Sequence, residues 1–207
     1  MLFYERLLWD RGLDLVCGVD EVGRGPLAGP VVASAVVFPQ EVSLPGVKDS
    51  KKLTAEKREE FFGVIYENAL GVGIGVVDEK IIDQMNILNA SLLAMQKAIK
   101  QLKRKPDVIL IDGNQKIPHL KIPQIAVIKG DSLSLSIAAA SIIAKVTRDR
   151  LMEKCHKKFP LFCFDENKGY SSKSHLEALE NYGPCEIHRK SFKTVKLLKL
   201  KQEKLEI

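Results

Sequence analysis

The chain has 207 residues, 45% of them hydrophobic, which suits one domain with a full core and leaves little room for a second. Its formal net charge is +6 and its pI is near 9.1, yet residues 1–144 hold 17 Lys+Arg against 17 Asp+Glu, while residues 145–207 hold 15 against 9; a neutral body beside a basic last third suits a polyanionic partner. No apolar run approaches the roughly 18 residues of a transmembrane helix, and charges interrupt Met1–Gly12 too often for a signal-peptide core, so a soluble, cytoplasmic protein is the expectation.

The first strong signal is Leu15-Val16-Cys17, an apolar run followed by Asp20, Glu21 and then Gly23, Gly25 and Gly29. It reads as a buried strand that delivers two carboxylates and enters a tight turn. Side chains alternate along a strand, so both acids are expected to serve one site only through a backbone bend at about Glu21. Gly23 and Gly25 permit such a bend and a close approach to ligand, and Arg24 between them offers a planar fork for phosphate oxygens. Val31–Phe38 is a second strand, joined to the first by too short a turn for a crossover helix, so the two should pair antiparallel. After a polar loop over 45–52, Thr54 caps a helix to about Ala69. Leu70–Val77 is a third strand with glycine alternating on one face, which admits close approach of a neighbouring element. Asp78–Lys105 reads as helix in two pieces, the second starting near Ile87 and ending in Lys103-Arg104-Lys105 before Pro106.

Asp107–Asp112 and Ile122–Ile128 complete five strands. A helix is predicted from Ser132 to about His156 with the small-residue face Ser136, Ala139, Ala140 and Ala144. Ser174-His-Leu-Glu177 reads as a capping box opening the next helix, and Ser191–Glu206 as a lysine-rich last helix. The pattern implies an α/β fold with a mixed sheet. Cys17, Cys155, Cys163 and Cys185 contain no C-x-x-C pair and are expected to be reduced. Cys155, His156, Cys163, Cys185 and His188 allow a zinc reading, although the first two cysteines are spaced more loosely than usual ligands.

Three apolar strands thus place acids near their carboxyl ends: Asp20 and Glu21, Asp112, and Asp131 just beyond the fifth. Ligands of open α/β sheets bind at such ends, and crowded carboxylates need cations to neutralise them. Oxygen donors of this kind fit Mg²⁺ or Mn²⁺. Lys48, Lys51, Lys52, Lys145, Arg148 and Ser141 are candidate phosphate contacts.

Gly18–Pro30, Asp49-Ser-Lys-Lys-Leu53, Ile111-Asp-Gly-Asn114, Lys129-Gly-Asp131, Ala140–Lys145, Lys168-Gly-Tyr170 and His188-Arg-Lys-Ser-Phe192 occur in one order over about residues 13–195. Together they resemble bacterial ribonuclease HII, the type 2 ribonuclease H. The resemblance implies a ribonuclease H-like fold; residues 1–184 are expected to form this catalytic domain and 185–207 a basic helical extension packed on or beside it. It implies hydrolysis of the RNA strand of RNA–DNA hybrids, incision 5′ to single ribonucleotides in duplex DNA, and 5′-phosphate and 3′-hydroxyl ends. Asp20, Glu21, Asp112 and Asp131 match the family's active-site carboxylates, ligands for two Mg²⁺ or Mn²⁺ ions during catalysis. Gly23, Arg24 and Gly25 match the turn that senses the ribose 2′-hydroxyl. Tyr170 matches the tyrosine that packs on the next deoxynucleotide's sugar, and Lys51 lies in a matching substrate-binding loop.

Two departures sit beside Tyr170: Asn167 where the resemblance leads one to expect histidine, and Ser171-Ser172 where glycine or proline with threonine is usual. Ribonuclease HIII shares the acids but normally adds an N-terminal domain, for which Asp20 lies too near Met1. A noncatalytic binding protein on the same fold would be expected to lack a carboxylate, and all four are present. A small-molecule phosphotransferase would need a nucleotide cradle such as a P-loop, which does not occur. A monomer acting on RNA–DNA hybrid and ribonucleotide-containing duplex DNA is the expectation.

Overall fold

The computed structural model describes residues 1–47 and 53–203. Five strands form one mixed sheet in the order β3-β2-β1-β4-β5: β1 (Val16–Val22), β2 (Val31–Val37), β3 (Gly71–Val77), β4 (Val108–Asp112) and β5 (Gln124–Val127). The short glycine turn forces β1 and β2 antiparallel, as its length requires, and β3 continues antiparallel from β2. β4 runs parallel to β1 because the helices that follow β3 carry the chain back across the sheet, and β5 pairs parallel with β4 after a helix-free connection over 113–123.

Helices cover both faces. On one lie α3 (Glu79–Met85) and α4 (Ile87–Lys100). The alternating glycines of β3 admit α4 almost to backbone contact: a Cβ on Gly73 would stand 2.1 Å from the Ala98 carbonyl oxygen, and one on Gly75 would stand 1.9 Å from that of Ala94. α5 (Leu135–Lys158) crosses the other face. Its buried small-residue stripe lets it press on β1, where a Cβ on Gly18 would meet the Ser136 carbonyl carbon at 2.1 Å. The core therefore lies in two apolar sheets of contact, Val19, Ala33, Ile109 and Ile111 under α4, and Val36, Ile65, Ile142 and Ile143 around α5. Each such Val or Ile side chain contributes about 1.5–3 kcal/mol on burial. α2 (Ala55–Asn68), capped by Thr54 as predicted, packs outside α5.

Several boundaries differ from the sequence reading, for local reasons. α4 ends at Lys100, so Lys103-Arg104-Lys105 lie beyond it. Pro106 disfavours helix at the preceding residue, and the chain turns at once so that the Asp107 amide donates to the Leu15 carbonyl at 3.0 Å. The long helix begins at Leu135, not Ser132, because Gly130–Ser132 is a separate 3₁₀ turn.

Its cap is shared. Ser134 Oγ accepts from the Ile137 amide, while Glu5, buried on α1 (Phe3–Trp9), accepts from the Ser136 amide at 2.9 Å and from both serine hydroxyls at 2.6 Å. A carboxylate at a helix N-terminus is favourable, and this one docks a first helix that sequence reading did not predict. After the short α6 (Phe164–Asn167), α7 (Lys173–Tyr182) is capped by Ser172 rather than Ser174, the Ser172 hydroxyl accepting from the His175 amide. The last helix, α8, spans Lys193–Glu203. Among the described residues no helix is long and apolar enough to cross a membrane.

The glycines make a paired test. Gly75→Val is expected to cost about 3 kcal/mol through overpacking against α4, lowering the melting temperature by roughly 6–12 °C for a chain of this size. Gly63, in the middle of α2 with nothing near its Cβ position, should gain about 0.5–1 kcal/mol as Gly63→Ala. Thermal unfolding of both variants checks the two signs.

Candidate active site

The site begins where the sheet splits. β1 is paired with β4 only as far as Val19↔Ile111, but with β2 as far as Val22↔Val32. Past Val19 the β4 edge of β1 is therefore uncovered, and Asp20 and Glu21 occupy that length while Asp112 ends β4. Each residue from Cys17 to Val22 pairs with one residue of β2, so β1 carries no bulge at Glu21. Both acids line one cavity beside this open strand edge. The cavity has a volume of about 350 Å³ and is lined by Asp20, Glu21 and Asp112 together with Arg24, Gly25 and Tyr170. A larger depression of about 620 Å³ beside Met1 and the 40–47 loop carries one carboxylate, Glu41, among mainly apolar side chains.

Each acid is held. Asp20, 6% exposed, accepts from the Glu21 amide at 2.7 Å. Asp112 accepts from the Gly130 amide at 2.7 Å, so the 3₁₀ turn after β5 fixes its carboxylate. Asp131 is buried one residue further on, in that turn, and is not part of the cavity wall. Burial, then the neighbouring Glu21 and Asp112 charges, push the Asp20 carboxyl well above the usual range, against the pull of the Ser141 hydroxyl and the Glu21 amide. Burial also raises Glu21; the Arg24 guanidinium, 3.2 Å away, opposes it and Asp112 adds to it.

Three oxygen donors that crowd and repel one another around an open cavity fit a hard divalent cation. Among the described residues no three His, Cys, Asp or Glu side chains form a preassembled metal cage. The carboxylates share a cavity without closing around a point.

The glycine turn that follows the acids is held by two arginines with no exposed surface, Arg148 and Arg189. Arg148 donates to the carbonyls of Pro30 (2.9 Å), Ala28 (3.2 Å) and Lys168 (2.9 Å). Arg189 donates to those of Gly23 (2.6 Å), Arg24 (3.0 Å) and, through two nitrogens, Gly29 (3.0 and 2.9 Å). In a planar trans peptide the C=O and N–H point in opposite directions. Drawing the Gly23 and Arg24 carbonyls down onto Arg189 therefore turns the Arg24 and Gly25 amides away from it, and both residues line the cavity. Gly23 has φ +95°, and a Cβ there would stand 2.3 Å from Arg148 Nε, so only glycine fits above the guanidinium. Burial, then the Arg148 charge, pull Arg189 down to about 9, which still leaves it charged at neutral pH.

These bonds correct the reading of Arg148 as a phosphate contact: it lies under the turn, where phosphate does not reach. The signal was present, since Arg148 continues the four-residue step Ser136, Ala140, Ala144 that runs along the buried side of α5. The zinc reading also falls. Among the described residues no three of these side chains come together as a metal cage, and both His188 nitrogens are engaged, Nδ1 by the Cys185 amide and thiol and Nε2 by His175. Lys145 pairs with Asp149 at 2.7 Å and lines the cavity, as does Ser141. Lys48, Lys51 and Lys52 lie outside the described residues.

Tyr170 stands beside Gly25, whose Cβ position is 3.6 Å from the ring, and is 44% exposed with one face over Arg148 at 5.9 Å. The unexpected Asn167 and Ser172 both support it. Asn167 accepts from the Gly169 amide and donates to the Phe162 carbonyl, each at 2.7 Å, and Ser172 caps α7.

Comparison with known proteins agrees with this geometry. A family model described as Ribonuclease HII matches residues 17–195. A relative named Ribonuclease HII from Caldanaerobacter subterraneus is 53% identical over 192 residues, 93% of this chain and 79% of its own length. The crystal structure of ribonuclease H2 from Pyrococcus horikoshii is 32% identical with a TM-score of 0.77, covering 92% of this chain and 99% of the other. The structure of Bst-RNase HIII in complex with Mn²⁺, 23% identical with a TM-score of 0.71 over 93% of this chain and 71% of the other, shares the fold.

The raised carboxyls carry a sign. Ion-free protein binds more protons folded than unfolded between the ordinary carboxyl pKa and the raised values of Asp20 and Glu21, so it gains stability as pH falls through that window. Asp20→Asn is expected to raise the melting temperature of ion-free protein at pH 8, with the advantage shrinking toward pH 4, and to blunt the stabilisation that Mg²⁺ gives the wild type. A lower melting temperature at pH 8 would contradict the crowding of the three acids.

Proposed function

The chain belongs to the ribonuclease HII family of metal-dependent endoribonucleases, which cleave the RNA of RNA–DNA hybrids, and from that premise we propose that it also incises duplex DNA 5′ to a single embedded ribonucleotide. The observation that carries this reading is one cavity lined by three carboxylates, the Gly23–Gly25 turn and a half-exposed tyrosine.

Asp20, Glu21 and Asp112 are assigned to hold Mg²⁺ or Mn²⁺, with Asp131 the fourth carboxylate, supporting the turn that fixes Asp112. When bound, two such ions supply activation of the attacking water and neutralisation of charge on the phosphate and on the leaving 3′-oxygen. The water oxygen bonds to phosphorus and the phosphorus–3′-oxygen bond breaks, which leaves a 3′-hydroxyl on one side and a 5′-phosphate on the ribonucleotide. The Arg24 and Gly25 amides meet the 2′-hydroxyl, the group that separates RNA from DNA at a single position, with Gly23 as the pivot of the turn. No base edge is read, so specificity is for sugar.

Tyr170 packs on the sugar of the following deoxynucleotide. The Arg24 side chain, paired with Glu21 in the free protein, turns to phosphate once cations take over Glu21. Lys51 adds a phosphate contact. Residues 1–184 form the catalytic domain and 185–207 its basic extension, of which the first part reaches back to the turn through Arg189. The enzyme works in the cytoplasm as a monomer.

A labelled duplex with one ribonucleotide, incubated with Mg²⁺ or Mn²⁺ or with chelator, tests the proposal. Metal-dependent incision on the 5′ side of the ribonucleotide is expected, and Asp112→Asn should lower it by at least a thousandfold while duplex binding persists. Cleavage confined to longer ribonucleotide runs would refute single-ribonucleotide recognition, and turnover retained by Asp112→Asn would remove Asp112 from the ion site.

A further inference from the structure

Arg189 accounts for only part of the His188-Arg-Lys-Ser-Phe192 block. His188 and His175 have no exposed surface and place their Nε2 atoms 2.9 Å apart, enclosed by the rings of Phe162 and Phe164. Their neighbours dictate where the protons sit. The Cys185 amide can only donate, and it donates to His188 Nδ1 at 2.9 Å, so neutral His188 carries its proton on Nε2 and gives it to His175 Nε2. His175 then carries its proton on Nδ1, which lies 2.8 Å from the Tyr170 carbonyl oxygen and donates to it. One proton on each ring satisfies the whole chain. A second proton on either ring would set two N–H groups face to face, and burial accordingly pulls both histidines down, His188 to about 4.

The two ends of this chain are the two halves of the sugar-reading apparatus. His188 belongs to a segment bonded to the glycine turn: the Gly29 amide donates to the Ile187 carbonyl and the Arg189 amide to that of Leu27, each at 2.9 Å, with Ala28 bridged to His188 between them. His175 opens α7 and holds the backbone of Tyr170. We propose that the His175–His188 pair is a positioning device for junction specificity, fixing the spacing between the turn that meets the ribonucleotide and the tyrosine that meets the next deoxynucleotide. This rests on the roles given above to the turn and to Tyr170. Neither histidine touches the reacting atoms. Their effect is through placement, where an error of about 1 Å costs up to a hundredfold.

The quantity that reads the device is the ratio of kcat/KM on a single-ribonucleotide duplex to kcat/KM on a long RNA–DNA hybrid, in which the shared hydrolytic steps cancel. His175→Asn retains a donor for the Tyr170 carbonyl but is too short to meet His188, and is expected to lower the ratio about tenfold; His175→Leu, which loses both bonds, should lower it further. An unchanged ratio, or an equal loss on both substrates, overturns the proposal. Tyr170→Ala separates the two levels of inference: a ratio unmoved by Tyr170→Ala refutes the role of the tyrosine itself, whereas a ratio that moves in Tyr170→Ala but not in His175→Asn refutes the histidine pair alone. Should the histidine variants fail to fold, nitrogen-15 NMR of the wild-type protein at pH 7 decides, with Nδ1–H on His175 and Nε2–H on His188 expected and any other tautomers or an imidazolium contradicting it.

Discussion

Two guanidinium groups buried beneath the Gly23–Pro30 turn set the terms for everything around the cavity. Removing such a charge from water costs several kcal/mol, and the cost is met here by charge-assisted bonds to main-chain carbonyls, each worth about 1.5–3 kcal/mol. The carbonyls must converge for this to work. Arg189 gathers those of Gly23, Arg24 and Gly29, and Arg148 those of Ala28, Pro30 and Lys168. A turn held by its carbonyls has its amides committed in the opposite direction, which makes a donor surface out of backbone alone. The Gly169 loop is drawn into the same arrangement, its carbonyl accepting from the Leu27 amide at 2.8 Å.

The acidic side of the cavity follows from sheet topology. An antiparallel partner carries β1 onward to Val22 while its parallel partner stops at Asp112, leaving two adjacent carboxylates on an uncovered edge with a third beside them. Burial, then mutual repulsion, raises the Asp20 carboxyl, burial raises that of Glu21, and the same oxygen donors suit divalent ions. Acids on a strand end and a turn held by its carbonyls line the same cavity. Metal-assisted cleavage directed by the sugar is the chemistry such a pairing supports.

The sheet was largely legible in the sequence because its five strands are short apolar runs bounded by turn residues, and because the length of the Gly23–Pro30 turn alone decides how β1 and β2 pair. The glycines of β3 were legible as a contact face, and α4 lies on it. The acids stood out as carboxylates at strand ends, although the way they reach one cavity did not: the uncovered edge depends on where β4 stops, which is a property of two strands together. The docking of α1 through Glu5, the buried arginines and the histidine pair were not read from the sequence. Their partners are main-chain atoms or serines 120 to 166 residues away for the longest of the Arg148, Arg189 and Glu5 bonds, and a local pattern does not contain such contacts. Only the four-residue step ending in Arg148 left a trace.

The most direct measurement is the affinity of two duplexes that differ by one 2′-hydroxyl, followed by fluorescence anisotropy in the Asp112→Asn background with and without Arg189→Lys. With Arg189 in place the ribonucleotide duplex should bind about tenfold more tightly, the worth of one or two hydrogen bonds. A lysine cannot span the carbonyls of Gly23, Arg24 and Gly29 together, so Arg189→Lys should erase that difference and leave all-DNA binding in place. A folded Arg189→Lys protein that still prefers the ribonucleotide duplex tenfold would contradict the cradle as the source of sugar recognition.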